Sequence, residues 1–269
     1  MRLSQWLKYT LLNSALVLSG CETAITDSGR CQLSDTLPTV PSIIPRVVKQ
    51  YPHDKNAFTQ GLAFANGKLY EGTGRKTRSG VRIVNLETGR VEKVARLSNN
   101  DMFGEGITIY GKQLIQLTWL HQTGYVYDAD SLALLKQFSF STEQGWGLTH
   151  NGEYLIMSDG SSRLYFLDPS SFQIINTLVV REHETNVERL NELEYINGEL
   201  YANVWKTSCI ARISLDTGQV VGWLDLHDVV EQTPVTDPEG LLNGIAHDVE
   251  SGRIWITGKL WPYLFEIEF

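Results

Sequence analysis

Short apolar runs recur along this chain, each cut off by a small polar turn. Gly61-Leu62-Ala63-Phe64 gives way to Asn66-Gly67, and Leu69-Tyr70-Glu71 follows. The order returns with Tyr110-Gly111, Asn151-Gly152 and Asn197-Gly198 as turns, and with 114–116, 155–157 and 200–202 as second runs. Runs this short, rich in Leu, Ile, Val and Tyr, read as β-strands. Asn-Gly marks hairpins because both residues tolerate positive φ. A third run alternates in polarity, as in Val81-Arg82-Ile83-Val84 and Tyr125-Val126-Tyr127. It ends at an acidic or glycine turn such as Glu87-Thr88-Gly89 or Asp216-Thr217-Gly218. A fourth run follows, as at 93–97 and 221–224.

Each unit opens on one phrase: Gln60-Gly61-Leu62, Glu105-Gly106-Ile107, Trp146-Gly147-Leu148, Asn191-Glu192-Leu193 and Asn243-Gly244-Ile245. The steps between the last residues of successive phrases are 45, 41, 45 and 52. A period of about 40–50 residues with several strands per unit is that of a β-propeller. The predicted fold is therefore all-β, a five-bladed β-propeller over residues 43–269. The fifth unit stops at Phe269 after its third strand, and residues 43–51 form an apolar run with no unit of their own. This N-terminal strand is expected to complete the last blade, closing the ring and hiding its edges. Two inserts break the pattern. Residues 181–190 are charged and expected as a short helix. Residues 226–241, with Pro234 and Pro238, are expected as a loop of the kind that builds binding sites.

Residues 1–20 read as a lipoprotein signal peptide. Arg2 and Lys8 precede an apolar stretch at 11–18, too short to span a bilayer as a helix. It ends in Leu18-Ser19-Gly20-Cys21, which resembles the bacterial lipobox. The resemblance implies cleavage before Cys21 and lipidation of its thiol; a plain secretory signal is the weaker reading. Residues 21–42 are polar and read as a tether. The expected location is that of an exported bacterial lipoprotein, anchored in the membrane at Cys21 on the periplasmic face of the envelope. An exported chain meets an oxidising compartment, so Cys31 and Cys209 could pair. A free tail thiol and a buried strand thiol is the other reading.

Composition narrows the partners. The chain is 42% hydrophobic and 20% charged, which is ordinary globular usage. Its formal charge of −8 becomes −10 once Arg2 and Lys8 leave. With no Lys/Arg-rich run, nucleic acid is not an expected partner. A monomer is expected. The six His residues show no paired metal spacing, and no Gly-x-Ser-x-Gly elbow or phosphate loop occurs. Asp54 and Asp248 could bind an ion, with turn capping the stronger reading. A lone structural calcium in the channel stays open.

A propeller gathers equivalent positions of every blade around one axis. The opening phrases thus collect Gln60, Glu105, Trp146, Asn191 and Asn243. The positions where second strands leave the blades collect Gly74, Trp119, Gly160, Trp205 and Lys259. Both rings are expected at one mouth of the channel. Glu105 sits between two glycines that let backbone approach a ligand. Among aromatic side chains its carboxyl would be desolvated and its pKa raised, which suits proton transfer near neutral pH. A Lys259 partner would oppose that shift. Three tryptophans at an inner rim look like a pocket wall. The plainer reading makes Glu105 a structural acceptor, the tryptophans channel packing, and the amides partners of neighbouring backbone.

Pro52-His53-Asp54 with 57–62, Phe103-Gly104-Glu105-Gly106, 113–119, Trp146-Gly147-Leu148, Asn191-Glu192-Leu193-Glu194, 202–205, Asn243-Gly244-Ile245-Ala246 and Thr257-Gly258-Lys259 together resemble the plant-type glutaminyl cyclases, the glutaminyl-peptide cyclotransferases of plants and bacteria. The resemblance covers residues 45–269 in order. It implies a five-bladed propeller that needs no metal or other cofactor for catalysis. It implies conversion of an N-terminal glutamine of peptides or proteins to pyroglutamate with release of ammonia. It implies Glu105 as the proton shuttle. Gln60, Asn191 and Lys259 would orient the amide and stabilise charge on its oxygen. Phe58, Phe103, Trp119, Trp146 and Trp205 would hold the glutamine stem. Two rivals stand beside it: a non-catalytic envelope propeller that displays a binding face, and a calcium-dependent propeller hydrolase, which needs several oxygen ligands around one ion.

Overall fold

The computed structural model describes Cys31 and residues 40–269. The stretch expected as a signal peptide, the expected lipidation site Cys21 and most of the expected tether lie outside the described residues. Five sheets make up the ring. Blade 1 is Thr59–Ala65, Lys68–Thr73, Gly80–Val84 and Val91–Arg96; blade 2 is Gly104–Tyr110, Gln113–Thr118, Thr123–Asp128 and Leu134–Ser139. Blade 3 is Leu148–His150, Leu155–Ser158, Arg163–Leu167 and Ile174–Val179; blade 4 is Leu190–Ile196, Glu199–Val204, Cys209–Ser214 and Val220–Asp225. Blade 5 is Leu242–His247, Ile254–Gly258 and Tyr263–Glu268, with Arg46–Pro52 antiparallel to the last as its outer strand. The first strand of each blade touches the first strands of its two neighbours, which closes the circle.

The N-terminal strand completes the last blade as the sequence predicts. One stitch was not predicted. Ser42–Ile43 lies parallel to Val220–Asp225 and adds a fifth strand to blade 4. The segment 42–52 therefore binds blades 4 and 5 together.

Five apolar clusters hold the ring, one at each interface between blades. Tyr70, Val81, Ile107 and Leu114 pack between blades 1 and 2, and Ile115, Leu117, Leu148 and Leu155 between blades 2 and 3. Leu164, Leu193 and Trp223 join blades 3 and 4; Ile210, Ile245 and Trp261 join 4 and 5; Tyr51, Leu62 and Trp255 join 5 and 1. Each sheet thus buries both faces, which explains the continuous apolar runs of the inner strands. The acidic turns are capped from within: Asp128 Oδ1 accepts from Ser131 N at 2.8 Å and Asp168 Oδ1 from Ser171 N at 2.7 Å.

The two inserts exchange the expected characters. Residues 181–190 hold no helix. Arg181–Glu182 and Thr185–Asn186 pair as a hairpin, with His183 at φ 53 in its turn. Buried Val180 and Val187 flank it and Val187 N bonds Val180 O at 3.0 Å, so β-branched burial outweighs the charge pattern. The helix, His227–Gln232, lies instead in the insert expected as a loop, and residues 233–241 continue irregularly from it.

Cys31 and Cys209 form a disulfide, with Cα atoms 5.7 Å apart. Cys209 opens the third strand of blade 4, just after the turn that carries Trp205.

Candidate active site

Four of the five opening phrases are β-bulges. Register slips by one residue between Thr59 and Gly61, Gly104 and Ile107, Leu190 and Leu193, and Leu242 and Ile245. A bulge bends its strand and re-aims a side chain. Here the extra residue falls among Gln60, Glu105-Gly106, Asn191-Glu192 and Asn243-Gly244. Blade 3 reaches the same place by starting its strand later, at Leu148, and leaving Trp146 outside the ladder.

The result is a cavity of about 450 Å3 lined by Phe58, Gln60, Phe103, Glu105, Trp119, Trp146, Asn191, Trp205, Lys206, Pro238, Glu239, Leu241 and Lys259. All nine residues that the sequence assigns to the reaction or the substrate line it. Two glycines of the second ring explain the fit. A Cβ on Gly74 would stand 2.3 Å from the Phe103 ring, and one on Gly160, at φ +84, would stand 2.7 Å from the Trp146 ring. Both rings can close on the cavity only because no side chain occupies those positions.

Glu105 is 4% exposed. Its Oε2 accepts a hydrogen bond from Gln60 Nε2 at 2.5 Å. Burial pushes its pKa up to about 8, against the pull of the Lys259 charge and of the Gln60 bond. Lys259 is 6% exposed. Burial pushes its pKa down, against the pull of Glu105 and then Glu239. Its backbone N–H bonds Leu241 O at 2.8 Å. Lys259 Nζ lies 5.0 Å from the Phe58 ring centre, and the Arg75 guanidinium carbon 4.7 Å from the same ring.

The aromatic wall is built from edge-to-face contacts. Phe58 meets Phe103 at 5.8 Å and 89°, Phe103 meets Trp119 at 5.8 Å and 67°, and Trp146 meets Trp205 at 5.6 Å and 86°. Gln60 Oε1 and Asn191 Oδ1 are buried and have no partner among the described residues. Each is an acceptor ready for an N–H donor.

Asn243 departs from the ring. It does not line the cavity; its Nδ2 donates to Thr59 O at 3.0 Å, so it satisfies backbone beside Gln60. Lys206, Pro238, Glu239 and Leu241 were not singled out from sequence, although the insert holding the last three was expected to build a binding site. Arg75 fixes that insert, donating to Glu239 Oε2 at 2.9 Å and Asp237 Oδ2 at 3.4 Å.

A buried charge network backs the Gln60 and Lys259 side. Glu71 accepts from Thr59 Oγ1 at 2.6 Å and Arg82 Nε at 2.8 Å, and meets His53 Nε2 at 3.1 Å. His53 Nδ1 lies 2.7 Å from Trp261 O. Both ring nitrogens thus face acceptors. Burial pushes the His53 pKa down, but the Glu71 charge and hydrogen bonds outweigh it and the net shift is upward. Asp54 caps a turn through Asn56 N at 3.0 Å and holds Arg82 Nη1 at 2.9 Å; Asp248 accepts from Glu250 N at 3.2 Å. The stronger sequence reading of both aspartates therefore holds. Among the described residues no three His, Cys, Asp or Glu side chains converge in a metal-binding group.

Comparisons with known proteins agree with this fold. The chain is 44% identical over 225 residues to a glutaminyl-peptide cyclotransferase of Arabidopsis thaliana, an alignment that takes in 82% of this chain and 70% of that protein. Its structure matches the crystal structure of Myxococcus xanthus glutaminyl cyclase with a TM-score of 0.81 at 38% identity, over 86% of this chain and 98% of that one. The family model for glutamine cyclotransferase matches residues 14–269. That span holds every blade and every residue of the cavity, and the chain belongs to the glutamine cyclotransferase family.

Proposed function

We propose that this chain is a glutaminyl-peptide cyclotransferase in which Glu105 carries the protons and no metal takes part. The observation behind the proton role is the buried Glu105 carboxyl, with a pKa pushed up to about 8. The α-amine of a peptide titrates at about 7.7–8.0, so proton exchange between the two is nearly balanced. The Glu105 carboxylate takes a proton from the α-ammonium. The freed amine attacks the side-chain amide carbon, and a C–N bond forms. Lys259 and Asn191 Nδ2 are the donors assigned to the oxyanion. The protonated Glu105 then gives its proton to the amide nitrogen, the old C–N bond breaks and ammonia leaves; the attacking nitrogen sheds its remaining excess proton through the Glu105 carboxylate to the departing ammonia, so that a neutral lactam and ammonium result. No enzyme nucleophile is consumed.

Gln60 has a narrower task than the sequence suggests. Its Nε2 is engaged with Glu105, so it holds the carboxylate, while its Oε1 is free to accept from the substrate. The aromatic wall packs the glutamine stem and keeps water from the amine.

The test is a short peptide with N-terminal glutamine, followed by ammonia release and the matching mass loss, with and without a chelator. Turnover that survives chelation is expected. A folded chain without turnover would instead favour the scaffold reading. Lys259→Met should lower kcat/KM at least about tenfold. It should also move the rising acid limb of the pH profile upward, because removal of the cation lifts the Glu105 pKa further. A limb that stays in place or moves down would separate Lys259 from Glu105.

The proposal extends to the envelope: a monomeric lipoprotein anchored at Cys21 on the periplasmic face. The Cys31–Cys209 bridge supports an oxidising compartment. Palmitate labelling of the wild type that Cys21→Ala abolishes is the expected result; an unlabelled wild type sinks the anchor.

A further inference from the structure

The five aromatics of the wall fall into two groups. Phe58, Phe103 and Trp119 touch in series from blades 1 and 2, and Trp146 touches Trp205 from blades 3 and 4. No ring contact joins Trp119 to Trp146. The gap is bridged by one atom. Gln144 Oε1 accepts from Trp119 Nε1 at 2.7 Å and from Trp146 Nε1 at 2.9 Å. Gln144 lies on the segment that crosses from blade 2 to blade 3. That segment is itself fixed, with Thr142 Oγ1 donating to Gln144 O at 2.8 Å and Gly145 N bonding Trp119 O at 3.1 Å.

We infer that Gln144 is a positioning residue that locks Trp119 and Trp146 into one continuous wall around the glutamine stem, so that it sets substrate affinity without touching the reacting atoms. An amide oxygen carries two lone pairs and can take both indole donors at once. The amide nitrogen could take neither, so the two bonds also fix the orientation of the Gln144 amide. An indole is free to turn about its side-chain torsions, and each bond removes that freedom at the ring edge. Trp119 needs this most, being 38% exposed. Trp146 has Gly160 beneath its ring and Trp205 at its edge, yet no other hydrogen bond to its Nε1 appears among the described residues. The inference rests on the cyclotransferase reading for its kinetic consequence and on geometry alone for the indole bonds.

The experiment compares Gln144→Met, which keeps length and loses the acceptor, with Gln144→Glu, which keeps two acceptor lone pairs. Two readouts are taken: indole N–H resonances of the 15N-tryptophan-labelled chain, and steady-state kinetics on a glutaminyl peptide. In Gln144→Met two indole resonances should shift while the rest hold. KM should rise about tenfold with kcat reduced less than about threefold, the pattern of lost ground-state positioning. Gln144→Glu should restore both indole resonances toward hydrogen-bonded positions and recover most of the KM. Unmoved resonances in Gln144→Met overturn the bonds, whatever the activity. Shifted resonances with unchanged KM overturn the positioning role. A Gln144→Glu variant as impaired in KM as Gln144→Met overturns it too. Absence of turnover in the wild type would instead strike the cyclotransferase reading and leave the indole result standing.

Discussion

Glu105→Gln should fold as the wild type does and turn over glutaminyl peptides about a thousandfold more slowly. The amide matches the carboxyl in shape, and only the proton carrier is lost; general acid–base groups of this kind contribute about 10²–10⁴ in rate. Stability gives the same substitution a second signature. Burial pushes the folded carboxyl up to about 8, from an ordinary value of 4.5. Between those values the folded chain holds a proton that the unfolded chain has released, so stability falls as pH rises through the window. Glutamine carries no such proton. The melting temperature of the variant relative to wild type should therefore climb from pH 5 to pH 8. A folded variant that keeps its turnover removes Glu105 from the chemistry. A relative melting temperature that drops with pH would mean that Lys259 stabilises the charged carboxylate more than burial penalises it.

The largest loss of stability is expected at Glu192→Ala, a position with no assigned part in the reaction. Glu192 is 1% exposed on the first strand of blade 4. Its Oε1 accepts from Leu62 N in blade 1 at 3.2 Å and its Oε2 from Ile245 N in blade 5 at 2.9 Å. Propeller blades share no backbone ladder with one another, so inner-strand N–H groups beside a bulge need other partners. Neighbouring side chains of blade 4 do the same work: Glu194 Oε1 accepts from His247 N at 3.0 Å and Asn203 Oδ1 from Gly244 N at 2.9 Å. Alanine at 192 would strand two buried donors at about 1–3 kcal/mol each and leave a hole. A total of about 4 kcal/mol lowers the melting temperature of a chain this size by about 10 °C. Glu192→Gln should lose much of the same, because its amide nitrogen must face one of the two N–H groups. Thermal melts of both variants decide the matter, and a shift under about 2 °C in Glu192→Ala would show that the contacts are dispensable.

The ring was legible because its signal is periodic. Gln60, Glu105, Trp146 and Asn191 share one place in each unit, and a propeller turns equal place into shared space. The bulges that aim them were not legible, since an extra residue shows only against the partner strand. The hairpin at 181–187 was misread because sequence does not mark Val180 and Val187 as a buried pair, nor Glu182 as the one charge that turns inward, where it accepts from Trp223 Nε1 at 3.0 Å. Gln144 and Glu239 lie between units, where no period applies. Asn243 occupies a ring position yet turns to Thr59, a choice made by packing at the junction of blades 5 and 1. Cys31 and Cys209 stand 178 residues apart, and only the folded path of the chain brings them together.

That cross-link also acts as a ruler. On the proposed anchor at Cys21, ten residues separate the lipid from the stapled Cys31. At about 3.5 Å per residue the leash can pay out no more than about 35 Å from the bilayer. One bond, distant in sequence from Glu105, would thus keep the cavity mouth to chains presented close to the membrane.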